Sequence, residues 1–139
     1  HNRERSVVGV GPLQWDPALA AAAQRYAREL ATTGKWRHSD ARTRPGQGEN
    51  LWMGTRGAFT TERMVADWAS EKRLFRAGSA GPVFPAVSRS ASWADVGHYT
   101  QIVWRGTTKV GCALESSAAK DYLVCRYSPG GNVMNQRVF

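Results

Sequence analysis

Apolar residues recur along the chain with two periods, and the change of period divides it into helical and extended parts. Over residues 18–33, Leu19, Ala23, Tyr26, Ala27 and Leu30 fall at helical spacing in an Ala-rich background. Asp16 stands at the N-cap and Pro17 at N1, where its missing N–H costs nothing, and Gly34 follows as a C′ residue. A helix is predicted there. Residues 1–8 are polar with a small apolar side and predict a short helix, which Gly9-Val10-Gly11-Pro12 breaks. Another helix starts at Thr60, with Phe59 and Met64 at the positions of a hydrophobic staple. Along it Met64, Trp68, Glu71 and Phe75 share one face. Glu71 is thus a carboxylate in an aromatic stripe, the local exception expected at functional or strained sites. The plainer alternative puts it at the stripe's edge, reaching water.

The second half alternates with period two. In Gly97-His98-Tyr99-Thr100-Gln101-Ile102-Val103-Trp104-Arg105, β-branched and aromatic residues dominate, and Gly106-Thr107-Thr108 follows as a turn signal. This predicts a strand entering a hairpin, opened by the titratable His98. Residues 109–115 and 122–127 read as two further strands. Antiparallel pairing about the centre of their loop faces Glu115 with Tyr122 and Cys112 with Cys125. A disulfide between these two cysteines is sterically reasonable, would contribute roughly 3 kcal/mol, and favours an oxidising compartment. Two buried free thiols are the alternative. Residues 35–55, which hold Trp36, His38, Pro45, Gly46 and Gly48-Glu49-Asn50-Leu51-Trp52, read as a long packed loop. Residues 77–95 read as irregular, with Val83, Phe84 and Trp93 as anchors, and Ser128-Pro129-Gly130-Gly131-Asn132 as a turn.

Composition narrows the class. The chain has 139 residues, 42% hydrophobic and with six Trp, enough for the core of one domain over residues 1–139. No apolar run approaches a membrane span. The helix-like opening at His1, with no visible signal peptide, is expected of a mature or trimmed chain. There is no internal repeat, GxGxxG, P-loop or HExxH, and Gly78-Ser79-Ala80-Gly81 lacks the nucleophile-elbow pattern. The formal net charge is +8, but the basic residues are spread from Arg3 to Arg137. That argues against a nucleic-acid patch and leaves a solvated basic surface, or weak attraction to anionic lipid or cell-wall polymers.

Several segments together resemble the CAP superfamily of cysteine-rich secretory, antigen 5 and plant pathogenesis-related class 1 proteins. Gly97-His98-Tyr99-Thr100-Gln101-Ile102-Val103-Trp104 resembles its first signature. The run from Tyr122 to Asn132 resembles its second. Gly48-Glu49-Asn50-Leu51 matches its acidic loop, and His1-Asn2-x-x-Arg5 its first helix. The resemblance covers essentially the whole chain. It implies an α+β fold, a three-layer α-β-α sandwich around a central antiparallel sheet, in a secreted or periplasmic monomer. Departures are Pro129-Gly130-Gly131-Asn132 within the second signature, the ending from Met134 to Phe139, and two cysteines where most eukaryotic members have six. The chain thus looks like the compact bacterial form.

The resemblance also implies a cleft tetrad of His38, Glu49, Glu71 and His98. Neutral His38 and His98 would hold Zn²⁺ or a similar divalent ion, weakly, because a third strong protein ligand is lacking. Glu49 or Glu71 would be the base of a metal-dependent hydrolase, a peptidase, if there is chemistry. A bracing network of His–Glu hydrogen bonds is the non-catalytic reading. Family members that bind sterols or fatty acids make a non-enzymatic module for a hydrophobic ligand the leading expectation, with Trp36, Trp52, Trp68, Phe75, Phe84 and Trp93 as the apolar stock. A peptidase and an extracellular protein-interaction domain are the alternatives.

Overall fold

The computed structural model describes residues 1–79 and 81–139, so Ala80, within the stretch predicted to be irregular, lies outside the described residues. Helix α1 covers Asn2–Val7 and strand β1 Gln14–Trp15. Helix α2 follows at Pro17–Thr33, with Asp16 Oδ1 accepting from the amides of Ala18 and Leu19, and Gly34 closing it in the left-handed region at φ 67°. These caps stand where the sequence placed them.

Strand β2 occupies Gly48–Thr55, helix α3 Thr61–Ala69, helix α4 Gly97–Ile102, strand β3 Lys109–Ser116 and strand β4 Lys120–Ser128. The strands form one sheet in the order β1-β3-β4-β2. Both β3 and β2 run antiparallel to β4, while the two-residue β1 adds a parallel edge to β3. Helix α2 covers one face of the sheet, and α1, α3 and α4 lie on the other, giving an α+β, three-layer α-β-α sandwich.

Alternation along β4 feeds both layers. Tyr122 and Val124 join Ala23, Tyr26, Ala27 and Leu30 of α2, whereas Leu123, Cys125 and Tyr127 join Met64, Trp68 and Ile102 on the opposite side. Gly111 of β3 lets α2 approach: a Cβ there would stand 2.2 Å from Ala20 N and 2.6 Å from Leu19 C. The β3–β4 register pairs Glu115 with Tyr122 and Cys112 with Cys125, as the loop symmetry predicted, and the two cysteines are bonded. Among the described residues no helix is long and apolar enough to cross a membrane.

Three expectations are corrected. Residues 97–105 are not a strand: their first six residues are α4. The helix is held from outside itself. At its start Glu71 Oε2 accepts from the amides of His98 at 2.9 Å and Tyr99 at 3.1 Å. At its end Arg5, almost fully buried, donates to the carbonyls of Ile102 and Trp104, each at 2.9 Å. A carboxylate and a guanidinium thus meet the orphan amides and carbonyls, each at the end its charge favours. The strand-like composition is overridden by tertiary contacts.

Nor are residues 35–55 wholly a loop, because β2 takes the last eight and pairs along its full length with β4. Its buried Glu49 and Asn50 hide the apolar alternation that marks a strand. The stripe containing Glu71 also bends. Helix α3 stops at Ala69, and Glu71 lies in the 3₁₀ turn Ser70–Arg73.

Candidate functional site

At the edge of the sheet, the start of β2 faces the start of α4 across a cleft of about 510 Å³. His38, Glu49 and His98 line it, with Arg44, Gln47 and Trp93 among the other wall residues. Glu71 is not part of the wall; it stands behind His98. Three of the four tetrad residues are thus brought to one cleft, and the fourth supports one of them. Gly48 keeps the floor low, since a Cβ there would stand 2.0 Å from Gln101 Oε1.

Each histidine is held by its own carboxylate. His38 Nδ1 lies 2.8 Å from Glu49 Oε1, and His98 Nδ1 lies 2.6 Å from Glu71 Oε1. The two pairs differ in surroundings. The Glu49 side chain is fully buried, while that of its partner His38 is 54% exposed. Glu49 also accepts from the Ser39 amide at 3.0 Å and hydroxyl at 2.7 Å. Arg126 Nε approaches Glu49 Oε2 to 2.8 Å, but its N–H is not aligned as a hydrogen bond, so the contact is an ion pair. Burial alone pushes the Glu49 carboxyl up. The hydrogen bonds from His38 and Ser39, with the Arg126 charge, outweigh it and hold the group down at about 2. Burial likewise pushes the Arg126 guanidinium down, opposed by Glu49.

In the second pair the carboxylate is the more exposed, Glu71 at 20%, and the imidazole the less exposed, His98 at 32%. Trp68 stacks on the His98 ring at 5.9 Å with planes 13° apart. Below it Asn50 Nδ2 donates to the His98 carbonyl and to the Tyr127 hydroxyl, at 3.2 and 3.1 Å. Tyr127 is enclosed, and burial pushes its hydroxyl up. The same hydroxyl meets His1 Nε2 at 2.7 Å, which ties the first helix to the site.

Because an ionised carboxylate only accepts, Glu49 fixes the proton of a neutral His38 on Nδ1. Glu71 already takes two amides on Oε2 and holds His98 the same way. Nε2 of each ring is left without a protein partner among the described residues. Rings oriented by carboxylates through one nitrogen and open at the other suit a divalent metal. Only His38 and His98 offer such a nitrogen, and among the described residues no group of three or more His, Cys, Asp or Glu is placed to hold a metal. His38 and His98 are thus the residues that could hold such an ion, with solvent completing its shell.

Sequence reasoning missed Ser39, Arg44, Asn50 and Arg126. One signal was available: Arg126 follows Tyr122 and Val124 on the same face of β4, a charge on an otherwise apolar stripe. Its register partner is Glu49. Of the expected apolar stock, Trp52, Trp68 and Phe84 are buried in the core. Phe75 is packed against that core, Trp36 packs on Tyr122, and Trp93 stands at the cleft.

The chain and its fold have known counterparts. The model of the cysteine-rich secretory protein family matches residues 1–127. Pathogenesis-related protein 1C of Nicotiana tabacum is 38% identical over 137 residues, covering 98% of this chain and 74% of that protein. A pathogenesis-related protein of the PR-1 type from Sambucus nigra is 35% identical over 140 residues, covering 100% of this chain and 77% of its own. Among solved structures, Na-ASP-1 superposes with a TM-score of 0.75 at 26% identity, over 94% of this chain and 32% of that one. NaASP2 with Zn²⁺ gives 0.73 at 26% identity, over 94% and 66%. The bonded cysteine pair and this kinship support an extracellular setting. From the first helix through the second signature strand, the chain belongs to the cysteine-rich secretory protein family.

Proposed function

We propose that the protein is a secreted, non-enzymatic binding module whose cleft takes a divalent cation conditionally through Nε2 of His38 and His98. The observation that carries this reading is the pairing of each Nδ1 with a carboxylate, which leaves both outer nitrogens to the same cleft. NaASP2, whose structure contains Zn²⁺, lends support by kinship. When bound, the ion would supply a Lewis-acid centre. The chain's own residues supply orientation: Glu49 and Glu71 fix the tautomers, and Trp68 limits rotation of the His98 ring.

A hydrolase is the weaker reading. A carboxylate held at about 2 and fully buried, as Glu49 is, makes a poor general base. Glu71 spends both oxygens on three donors. Nitrogen NMR of the imidazoles during Zn²⁺ titration tests the proposal. Nε2 of His38 and His98 should shift strongly while both Nδ1 protons persist. Rings unmoved by Zn²⁺ at neutral pH would overturn it.

A second reading keeps the hydrophobic ligand but moves it. An apolar groove of about 280 Å³ lies between the sheet and α3, lined by Trp15, Val65, Leu114 and Leu123, with Trp15 59% exposed. A fatty-acid or sterol-like ligand would lie there and not at the tetrad. Organic extraction of the purified protein followed by mass spectrometry should then recover lipid, and a Leu114→Glu variant should lose it.

A further inference from the structure

The wall of the tetrad cleft away from the buried carboxylate carries an aromatic platform. Trp93 is 41% exposed and lines the cleft. Its ring is fixed from behind by Phe84, with centroids 5.1 Å apart. Gly97 makes room for it, since a Cβ there would stand 3.2 Å from the Trp93 ring. An exposed indole held this rigidly offers a flat apolar face at small entropic cost.

The polar groups beside it are mostly acceptors. With Nδ1–H of each imidazole given to a carboxylate, Nε2 of neutral His38 and His98 presents a lone pair. Gln47 also lines the cleft, and its buried Oε1 has no donor. An acceptor in that state costs free energy until a donor arrives. Two other cleft amides are spoken for: Gln101 Oε1 accepts from Gly131 N at 2.9 Å, and Asn132 Oδ1 from the Thr100 hydroxyl at 2.6 Å. The nearby guanidinium of Arg44 donates to Ser39 and to the Gln47 carbonyl, so its charge stays in the wall. That charge, on a chain of net +8, disfavours an organic cation as the source of donors.

We infer that the metal-free cleft binds a neutral saccharide, with one pyranose face stacked on Trp93 and ring hydroxyls donating to His38 Nε2 and His98 Nε2, and to Gln47 Oε1 once its part-exposed side chain turns that oxygen into the cleft. A pyranose joins an apolar C–H face to several uncharged donors, which matches this wall. A cleft of about 510 Å³ is within the usual range for small-ligand sites and accommodates one or two rings. The inference rests on reading the cleft as a binding site, but not on the metal.

Chelator-treated protein labelled with ¹⁵N at the indoles provides the test, with triacetylchitotriose and cellotriose as probes at millimolar concentration. The Trp93 resonance, identified by its loss in Trp93→Ala, should shift with at least one of them. Affinity should fall about tenfold in Trp93→Ala, the size of one aromatic stacking contact. Should Trp93→Ala be poorly folded, Gln47→Leu serves instead and should weaken binding about three- to tenfold, the size of one hydrogen bond. The inference is overturned if neither sugar moves the Trp93 signal, if the shifts concentrate on Trp15, or if folded Trp93→Ala or Gln47→Leu binds as tightly as the parent. Zn²⁺ titration of the same sample separates the two claims. Sugar binding without Zn²⁺ binding would remove the metal reading alone, and the reverse would remove the saccharide alone.

Discussion

Removing Glu71 should loosen the molecule as well as the cleft. Its carboxylate receives three donors: His98 Nδ1 at 2.6 Å, His98 N at 2.9 Å and Tyr99 N at 3.1 Å. Hydrogen bonds to a charged group contribute about 1.5–3 kcal/mol each, but bonds sharing one acceptor group do not add. With Glu71 20% and His98 32% exposed, water can replace part of what is lost. We expect Glu71→Ala to cost about 2–3 kcal/mol, which for a domain of this size lowers Tm by about 6–12 °C. Glu71→Gln behaves differently. Its carbonyl oxygen is best used on the two backbone amides, which turns its NH₂ toward His98 Nδ1. That ring must then move its proton to Nε2. Stability should drop by only about 1 kcal/mol, while Zn²⁺ affinity falls because Nε2 now carries the hydrogen. Thermal melts and imidazole nitrogen NMR read both effects. Wild-type Tm in Glu71→Ala, or an unchanged His98 tautomer in Glu71→Gln, would refute the reasoning. A metal-dependent hydrolysis lost in Glu71→Gln at unchanged Tm would instead make Glu71 a base.

Three further outcomes are expected. Glu49, held at about 2 against an ordinary 4.5, stabilises the fold above the unfolded value, and this contribution is lost as pH falls from about 4.5 toward 2. It amounts to about 3 kcal/mol, and urea melts should show Glu49→Gln with a flatter acid limb than the parent. Arg5 donates to the carbonyls of Gly11, Ile102, Trp104 and Thr107, so Arg5→Met should cost about 3–5 kcal/mol by denaturant melts, and Arg5→Lys should not rescue it. Gly111→Ala sets a methyl against the α2 backbone, which must shift, so a loss of at least about 1–3 kcal/mol is expected by the same assay.

What could be read in the sequence was local or symmetric. The caps of α2 are short-range chemistry, and Asp16, Pro17 and Gly34 announce them. The β3–β4 register follows from loop symmetry and so delivers the Cys112–Cys125 bond. Helix α4 could not be read this way. Its ends are satisfied by Glu71, which precedes it by 27 residues at His98, and by Arg5, some 97 residues before Ile102. Strand β2 was hidden for a related reason. Glu49 and Asn50 look like loop residues until Arg126, Ser39 and Tyr127 supply partners from elsewhere in the fold. The tetrad came from resemblance to the family signatures. What the structure adds is its division into an exposed imidazole held by a buried carboxylate, His38 with Glu49, and a braced pair, His98 with Glu71.

The most direct test of the central claim is calorimetric titration of Zn²⁺ into the parent protein and into a His38→Ala, His98→Ala double variant at neutral and acidic pH. Two imidazoles completed by solvent predict weak, saturable binding at neutral pH. It should weaken on acidification as protons compete for the nitrogens, and it should vanish in the double variant. Binding of equal strength in the double variant, or none in the parent at neutral pH, would contradict the account.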